Sequence, residues 1–385
     1  MKRKLLNAIG MLLLSISFVS CSNSKKITAI QGNSLKEIYK NDFEIGTALN
    51  TSQIEERKKD EDALIKEQFN VATPENIMKA EIIHPQWDTY NFTLADKMIA
   101  YGQKNNMKIN GHTLIWHSQL PQFARRIKNV DSFKVFFTNH INTVAGRYSG
   151  KIFSWDVVNE ALNEDGTMRK SIFLDKLGND FVTEAFRLAQ KASPNTELYY
   201  NDYNNEQPKK RAGCIELIKK IQTAGVRIDG VGIQGHWQVG KVPLQEIEAS
   251  ILQYSALGLK VMFTELDIEV LPRNFSGADV NQRMRTTDSA TLNPYKNGLP
   301  DSVQEQLAKD YAALFNLFLK HKDKITRVTL WGVHDGQSWL NGWPVPGRTN
   351  YPLLFDRQLN PKPAFYSVKE ARKNFTPTPA EKKAF

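Results

Sequence analysis

Two carboxylates in this chain stand where bond-breaking chemistry could be done. Glu160 closes the run Ser154-Trp155-Asp156-Val157-Val158-Asn159-Glu160, and Glu265 closes Lys260-Val261-Met262-Phe263-Thr264-Glu265. Each acid ends a short apolar stretch of the kind that forms a buried strand. Two carboxyl groups about 5 to 5.5 Å apart can open a glycosidic bond with retention, one protonating the leaving oxygen while the other attacks the anomeric carbon. The first must be kept protonated and the second ionised, so their surroundings must differ. Taken singly, either acid reads more readily as a salt-bridged loop carboxylate; the pair with its neighbours does not.

More polar residues end other apolar runs: Glu75-Asn76 with Lys79, His112 to Gln119, Asn201-Asp202-Tyr203, Gln234 with His236, Asp267 beyond Glu265, and Trp331 with Trp339. The elements that must position them alternate in type. Strands are expected at Phe43–Ala48, Phe69–Thr73, Lys108–Thr113, Phe153–Val158, Glu197–Asn201, Gly230–Gln234, Lys260–Thr264 and Val328–Gly332. Helical periodicity lies between them, at Ile54–Glu67, Leu94–Asn105, Val130–Ser149, Asp180–Ala192, Lys209–Ala224, Leu244–Leu257 and Ser302–Lys320. Strands separated by helices pair in parallel through crossovers, and eight such units close a barrel. The expected fold is α/β, a single (β/α)8 TIM barrel over residues 34–374, with its working residues at the C-terminal ends of the strands.

The composition is ordinary for a globular chain: 385 residues, 41% hydrophobic, 24% charged and 2 Cys. That argues against a disordered, collagen-like or disulfide-stapled protein. Net charge is +10, but Lys2, Arg3 and Lys4 precede an apolar stretch, Leu5 to Val19, too short for a membrane span, which reads as an export signal over residues 1–20. Cys21 directly follows small Ser20, as in a bacterial lipoprotein signal, so lipidation at Cys21 is expected, with a tether over residues 21–33. The chain would then be exported and held by its lipid at a membrane, on the periplasmic or cell-surface face, with no other membrane contact. Cys214, left without a partner, reads as a buried apolar side chain. The remaining cations are dispersed among acids and form no nucleic-acid motif. The run Glu55 to Asp62 reads as the solvated face of the first helix. Pro272 to Pro300 reads as a long loop of the kind that serves binding, and residues 375–385 as a frayed tail.

Two other patterns carry less. His112 and His117 lack an acidic or Cys partner at metal-ligand spacing, so no metal is expected. Gly230-Val231-Gly232-Ile233-Gln234-Gly235 has a dinucleotide spacing but lies inside a strand with no helix directly after it, so its glycines read as close packing and not as a cofactor loop.

Five motifs in order resemble glycoside hydrolase family 10: Thr73-Pro74-Glu75-Asn76-Ile77-Met78-Lys79, Gly111-His112-Thr113-Leu114-Ile115-Trp116-His117-Ser118-Gln119, Trp155 to Glu160, Thr264-Glu265-Leu266-Asp267-Ile268, and Trp331-Gly332-Val333-His334-Asp335 with Ser338-Trp339. The resemblance implies a retaining endo-β-1,4-xylanase on a (β/α)8 barrel, monomeric and without cofactor, acting on xylan and xylo-oligosaccharides. It makes Glu160 the acid/base and Glu265 the nucleophile. His236, oriented by Asp267, would support Glu265, and Asn159 would reach the sugar 2-hydroxyl. Gln234 and Tyr203 would line the floor. Glu75, Asn76, Lys79, His112 and Gln119 would hold the non-reducing-side sugars, and Trp116, Trp331 and Trp339 would supply flat faces. The chain departs from the family pattern at Ala80 and in a longer stretch from Trp343 to Tyr351. An exo-acting or cellulose-directed relative, or a non-catalytic surface glycan-binding lipoprotein, are the rival readings.

Overall fold

The computed structural model describes residues 34–275, 277–284 and 292–376. The expected signal, Cys21 with its tether to residue 33, and residues 377–385 of the expected tail lie outside the described residues.

The strands are β1 (Glu44–Leu49), β2 (Val71–Pro74), β3 (Lys108–Trp116), β4 (Ser154–Asn159), β5 (Glu197–Asp202), β6 (Gly230–Ile233), β7 (His236–Gln238), β8 (Lys260–Glu269) and β9 (Ile325–Leu330). Neighbours pair in parallel, and two pairings, β1 with β9 and β6 with β8, close eight of them into a barrel. Parallel strands need covering crossovers. Helix Val130–Arg147, capped by the Asn129 side chain on the Ser132 N–H, turns Phe133, Phe137, Ile141 and Val144 inward between β3 and β4. Helix Asp301–Lys320 does the same between β8 and β9, stacking Phe318 on Phe263 at 4.1 Å. Full burial of one such ring stabilises by roughly 1.5–3 kcal/mol.

Register sets what meets at the top. Trp116 pairs with Asn159, Asn159 with Asn201, and Asn201 with Gly232, so the ends of β3, β4, β5 and β6 lie side by side. Two of the three glycines read as packing devices are that: a Cβ on Gly232 would lie 2.3 Å from Asn201 Oδ1 and one on Gly230 2.7 Å from Lys260 O, whereas Gly235 serves the link between β6 and β7, with φ at 82.

The structure departs from expectation in several places. The first helix is two: Thr51–Ile54, opened by a capping box between Asn50 and Gln53, and Lys59–Gln68, with Glu56 between them in the left-handed region at φ 51. The mixed-charge run is therefore not one solvated face, and Glu61 is buried, accepting from Gln53 Nε2 at 2.6 Å. Strands β3 and β8 continue past Thr113 and Thr264: β3 runs on through the buried Leu114, Ile115 and Trp116, and in β8 the polar residues beyond Thr264 are paired inside the fold; Glu269, for instance, accepts from Arg348 and Asn350. The three-residue β7 pairs with the extension of β8. A last helix, Pro363–Asn374, starts on a proline, which suits the first helical turn.

Candidate active site

The β4 chain turns sharply at Glu160, whose φ is 58. A left-handed non-glycine residue costs on the order of 1–2 kcal/mol, and here the main-chain N–H of Glu160 is fixed to Asn201 O at 2.9 Å. The turn sends the side chain into the mouth, where it is 4% exposed. Its Oε1 accepts from Asn159 Nδ2 and Gln234 Nε2, both at 3.1 Å, and its Oε2 accepts from Trp116 Nε1 at 2.9 Å. Burial pushes the Glu160 carboxyl above the ordinary carboxylate range; the Arg169 charge and the N–H donors oppose this without cancelling it, and the nearby Glu265 charge adds to it.

Glu265, on β8, is equally buried but set the other way. Burial would raise it, yet hydrogen bonds from His236 and Asn201 and the positive fields of His112 and His236 outweigh that and hold it below the usual range. Asn201 Nδ2 donates to Glu265 Oε1 at 2.7 Å, and His236 Nε2 donates to Oε2 at 3.2 Å. His236 Nδ1 donates in turn to Asp267 Oδ1 at 2.9 Å, and Trp339 Nε1 donates to the other Asp267 oxygen at 2.8 Å. Burial works against a charged imidazole, but the Asp267 carboxylate and Glu265 together push His236 up to about 10. The pair is thus set in opposite directions, one carboxyl pushed toward its protonated form and the other toward its ionised form, the division that acid and nucleophile require.

Asn159 joins the two halves. Its Oδ1 accepts from Asn201 Nδ2 at 2.9 Å and Gln234 Nε2 at 3.3 Å, the same groups that reach Glu265 and Glu160. Around them opens a cavity of about 180 Å³ lined by Glu75, Asn76, Lys79, His112, Trp116, Gln119, Trp331 and Trp339 as well as Asn159, Glu160, Gln234, His236 and Glu265. Lys79 is buried, its ammonium 2.9 Å from Asn76 Oδ1 and 4.7 Å from the centre of the Trp116 ring. Burial drives its pKa down and drives Glu75 up. His112 is oriented by Asp156 at 3.0 Å and meets Trp331 edge-on.

The order of these motifs is that of one family. The model of glycosyl hydrolase family 10 matches residues 34–371. The chain belongs to that family. It is 41% identical over 367 residues to an endo-1,4-beta-xylanase A of Xylanibacter ruminicola, covering 94% of this chain and 96% of that one. It is 38% identical over 360 residues to a beta-1,4-xylanase of Dictyoglomus thermophilum, covering 93% and 96%. Among solved structures, a GH10 endoxylanase from a sugarcane soil metagenome superposes with a TM-score of 0.84 at 43% identity, covering 88% of this chain and 99% of that one. A Thermotoga petrophila xylanase in complex with xylobiose superposes with a TM-score of 0.77 at 31% identity, covering 89% and 98%.

In this family 10 chain, one residue expected to line the cavity, Tyr203, stands behind it. Asp267, expected as the support of His236, meets the cavity through His236 and Trp339, which both line it. Tyr203, expected on the floor, is not among the residues lining the cavity: it is buried, its hydroxyl accepting from Arg169 at 2.6 Å and its ring 3.8 Å from the Lys210 ammonium. The strong donor Arg169 out-competes the cavity for that hydroxyl. The sequence reading missed Arg169, Ala278 and Val280, and gave Asn201, placed at a strand end, no role. Asn201 ends a strand, so its place was a signal. Ala278 and Val280 line the cavity from the long loop, which is pinned by the Asp279–Arg169 ion pair at 3.0 Å and by Asn281 on Ser118 at 2.8 Å. Nothing in their types announces a site.

Proposed function

We propose that this chain is an endo-acting β-1,4-xylanase working with retention through a covalent glycosyl-enzyme. The observation that carries the reading is the opposite setting of two buried carboxyls, Glu160 and Glu265, tied into one hydrogen-bond network at a cavity with indole walls.

Both hydrogen-bonding directions of Glu160 Oε1 are occupied by amide donors, whereas Oε2 accepts one indole N–H, so the transferable proton belongs on Oε2. In the first step that proton passes to the glycosidic oxygen as the bond to the anomeric carbon breaks, and a Glu265 oxygen bonds to that carbon. In the second, Glu160 takes a proton from water, the water oxygen attacks the anomeric carbon, and Glu265 leaves as carboxylate. Asn159 Nδ2, on the same wall, is placed to reach the 2-hydroxyl, where a contact strengthens as charge develops. His236, charged across neutral pH, stabilises Glu265 in both its free and departing states. The related xylanases of Xylanibacter ruminicola and Dictyoglomus thermophilum support xylan as the substrate. Export and anchoring through lipid on Cys21 belong to the same proposal, supported by the sequence of residues 2–22, as does a monomeric state.

Digestion of plain xylan, arabinoxylan and a soluble cellulose, with product lengths followed in time and the anomer read by proton NMR, tests this. Mixed oligomers appearing first from xylan, as the β-anomer, are expected. One short product throughout means exo action, and binding without products from any β-1,4-glycan overturns the enzyme reading. Cys21→Ser should move the protein from the membrane to the soluble fraction.

A further inference from the structure

Outside the cavity, the rim next to Gln119 carries a second aromatic surface. Trp87 sits in the turn after helix Ala80–Ile83 and is 40% exposed, although indoles gain much from burial. The fold uses this residue through its main chain: His84 Nε2 donates to Trp87 O at 3.1 Å, and a bridge between Gln86 and Thr89 closes the turn. The ring meets Phe123 edge-on at 6.2 Å, and Phe123 rests on His84, which stacks on Tyr90 at 4.0 Å. The exposed indole is therefore held on a rigid aromatic stack.

This surface is tied to the rim of the cleft by the chain. Phe123 follows the cavity residue Gln119 in the next turn of chain, and Glu81 N donates to Gln119 O at 2.9 Å, tying helix Ala80–Ile83 to that rim. From Lys79 in the cavity the helix leads outward past Ile82, itself 38% exposed, to Trp87. Its chain neighbours Gln86 and Asp88, and Gln122 next to Phe123, are exposed and polar. A flat apolar face with exposed polar residues next to it in the chain matches a pyranose, whose C–H face stacks while its equatorial hydroxyls hydrogen-bond outward.

We infer that Trp87, backed by Phe123 and flanked by Ile82, is a distal subsite for a β-1,4-linked glycan chain that continues out of the cavity over Gln119. The inference rests on the polysaccharide reading above. One indole and one isoleucine fall far short of the roughly 800 Å² per partner of a stable protein interface, so a second copy of the chain is the poorer occupant. The subsite adds binding for long chains only, because a substrate that fits within the cavity does not reach it.

The test compares Trp87→Ala and Trp87→Phe with the unsubstituted enzyme on an aryl β-xylobioside and on xylohexaose. Trp87→Ala should lower kcat/KM on xylohexaose about three- to tenfold, the scale of one stacked ring, mainly through KM, and leave the aryl xylobioside unchanged. Trp87→Phe should keep most of the gain. Equal loss on both substrates, or none on either, overturns the subsite. Failure of the unsubstituted enzyme on xylohexaose would instead sink the xylanase reading. Retardation of Glu265→Ala and Glu265→Ala/Trp87→Ala in native gels containing soluble xylan then still decides the subsite, weaker retardation of the double variant supporting it and equal retardation overturning it.

Discussion

Gln234 holds Glu160 by its side chain and Glu265 by its main chain: Nε2 donates to Glu160 Oε1 at 3.1 Å, and the carbonyl accepts the Glu265 N–H at 2.9 Å. One residue at the end of β6 thereby sets the separation of two groups that are distant in sequence. Because one carboxyl is raised and the other lowered, activity should be bell-shaped in pH. It falls as acid protonates Glu265, and again as base removes the Glu160 proton.

Glu265→Ala should abolish turnover, by about 10⁴-fold or more, while circular dichroism and melting show an intact fold. Glu160→Ala should cost about 10²–10⁴-fold on xylan and much less on an aryl glycoside whose leaving group needs no proton. A fully active Glu265→Ala would mean that the nucleophile lies elsewhere.

Arg169→Met removes a positive field that holds Glu160 down. The carboxyl then rises further, the proton is kept to higher pH, and the alkaline limb of kcat/KM should move up, on the order of one pH unit. An unmoved alkaline limb with a shifted acid limb would contradict the assignment of Glu160.

Asp267→Asn takes from His236 its strongest charge partner. With a less readily charged imidazole beside it, Glu265 should titrate higher, moving the acid limb of the kcat/KM profile upward, on the order of one unit, with little change on the alkaline side. If the profile keeps its acid limb, the support of Glu265 does not run through His236.

Gly232→Ala should destabilise by about 1–3 kcal/mol in a denaturant titration, since the new Cβ would meet Asn201 Oδ1 at 2.3 Å and Thr264 Cγ2 at 2.7 Å. It should also lower kcat, because Asn201 would be pushed off Glu265. Ala at Gly150, with nothing within 4 Å, is the control for adding a methyl without a clash, although its φ of 75 brings its own backbone strain.

By itself the sequence determined the barrel and its active end. Strand-length apolar runs alternating with helical periodicity admit few architectures, and the acids closing β4 and β8 are local facts that any reader of the chain meets. Tertiary structure decided what those acids are. Glu160 and Glu265 are the same residue type with similar burial, and only their partners, Gln234, Trp116 and Arg169 for one, His236 and Asn201 for the other, set them apart. Those partners come from different strands and loops, and pairing across closed strands depends on register, which local pattern does not carry. The same reason hid β7, the burial of Glu61 and the withdrawal of Tyr203 behind Arg169. A charged or polar residue reads as solvated until the fold brings it a partner, and then the low dielectric around it makes that partner decisive.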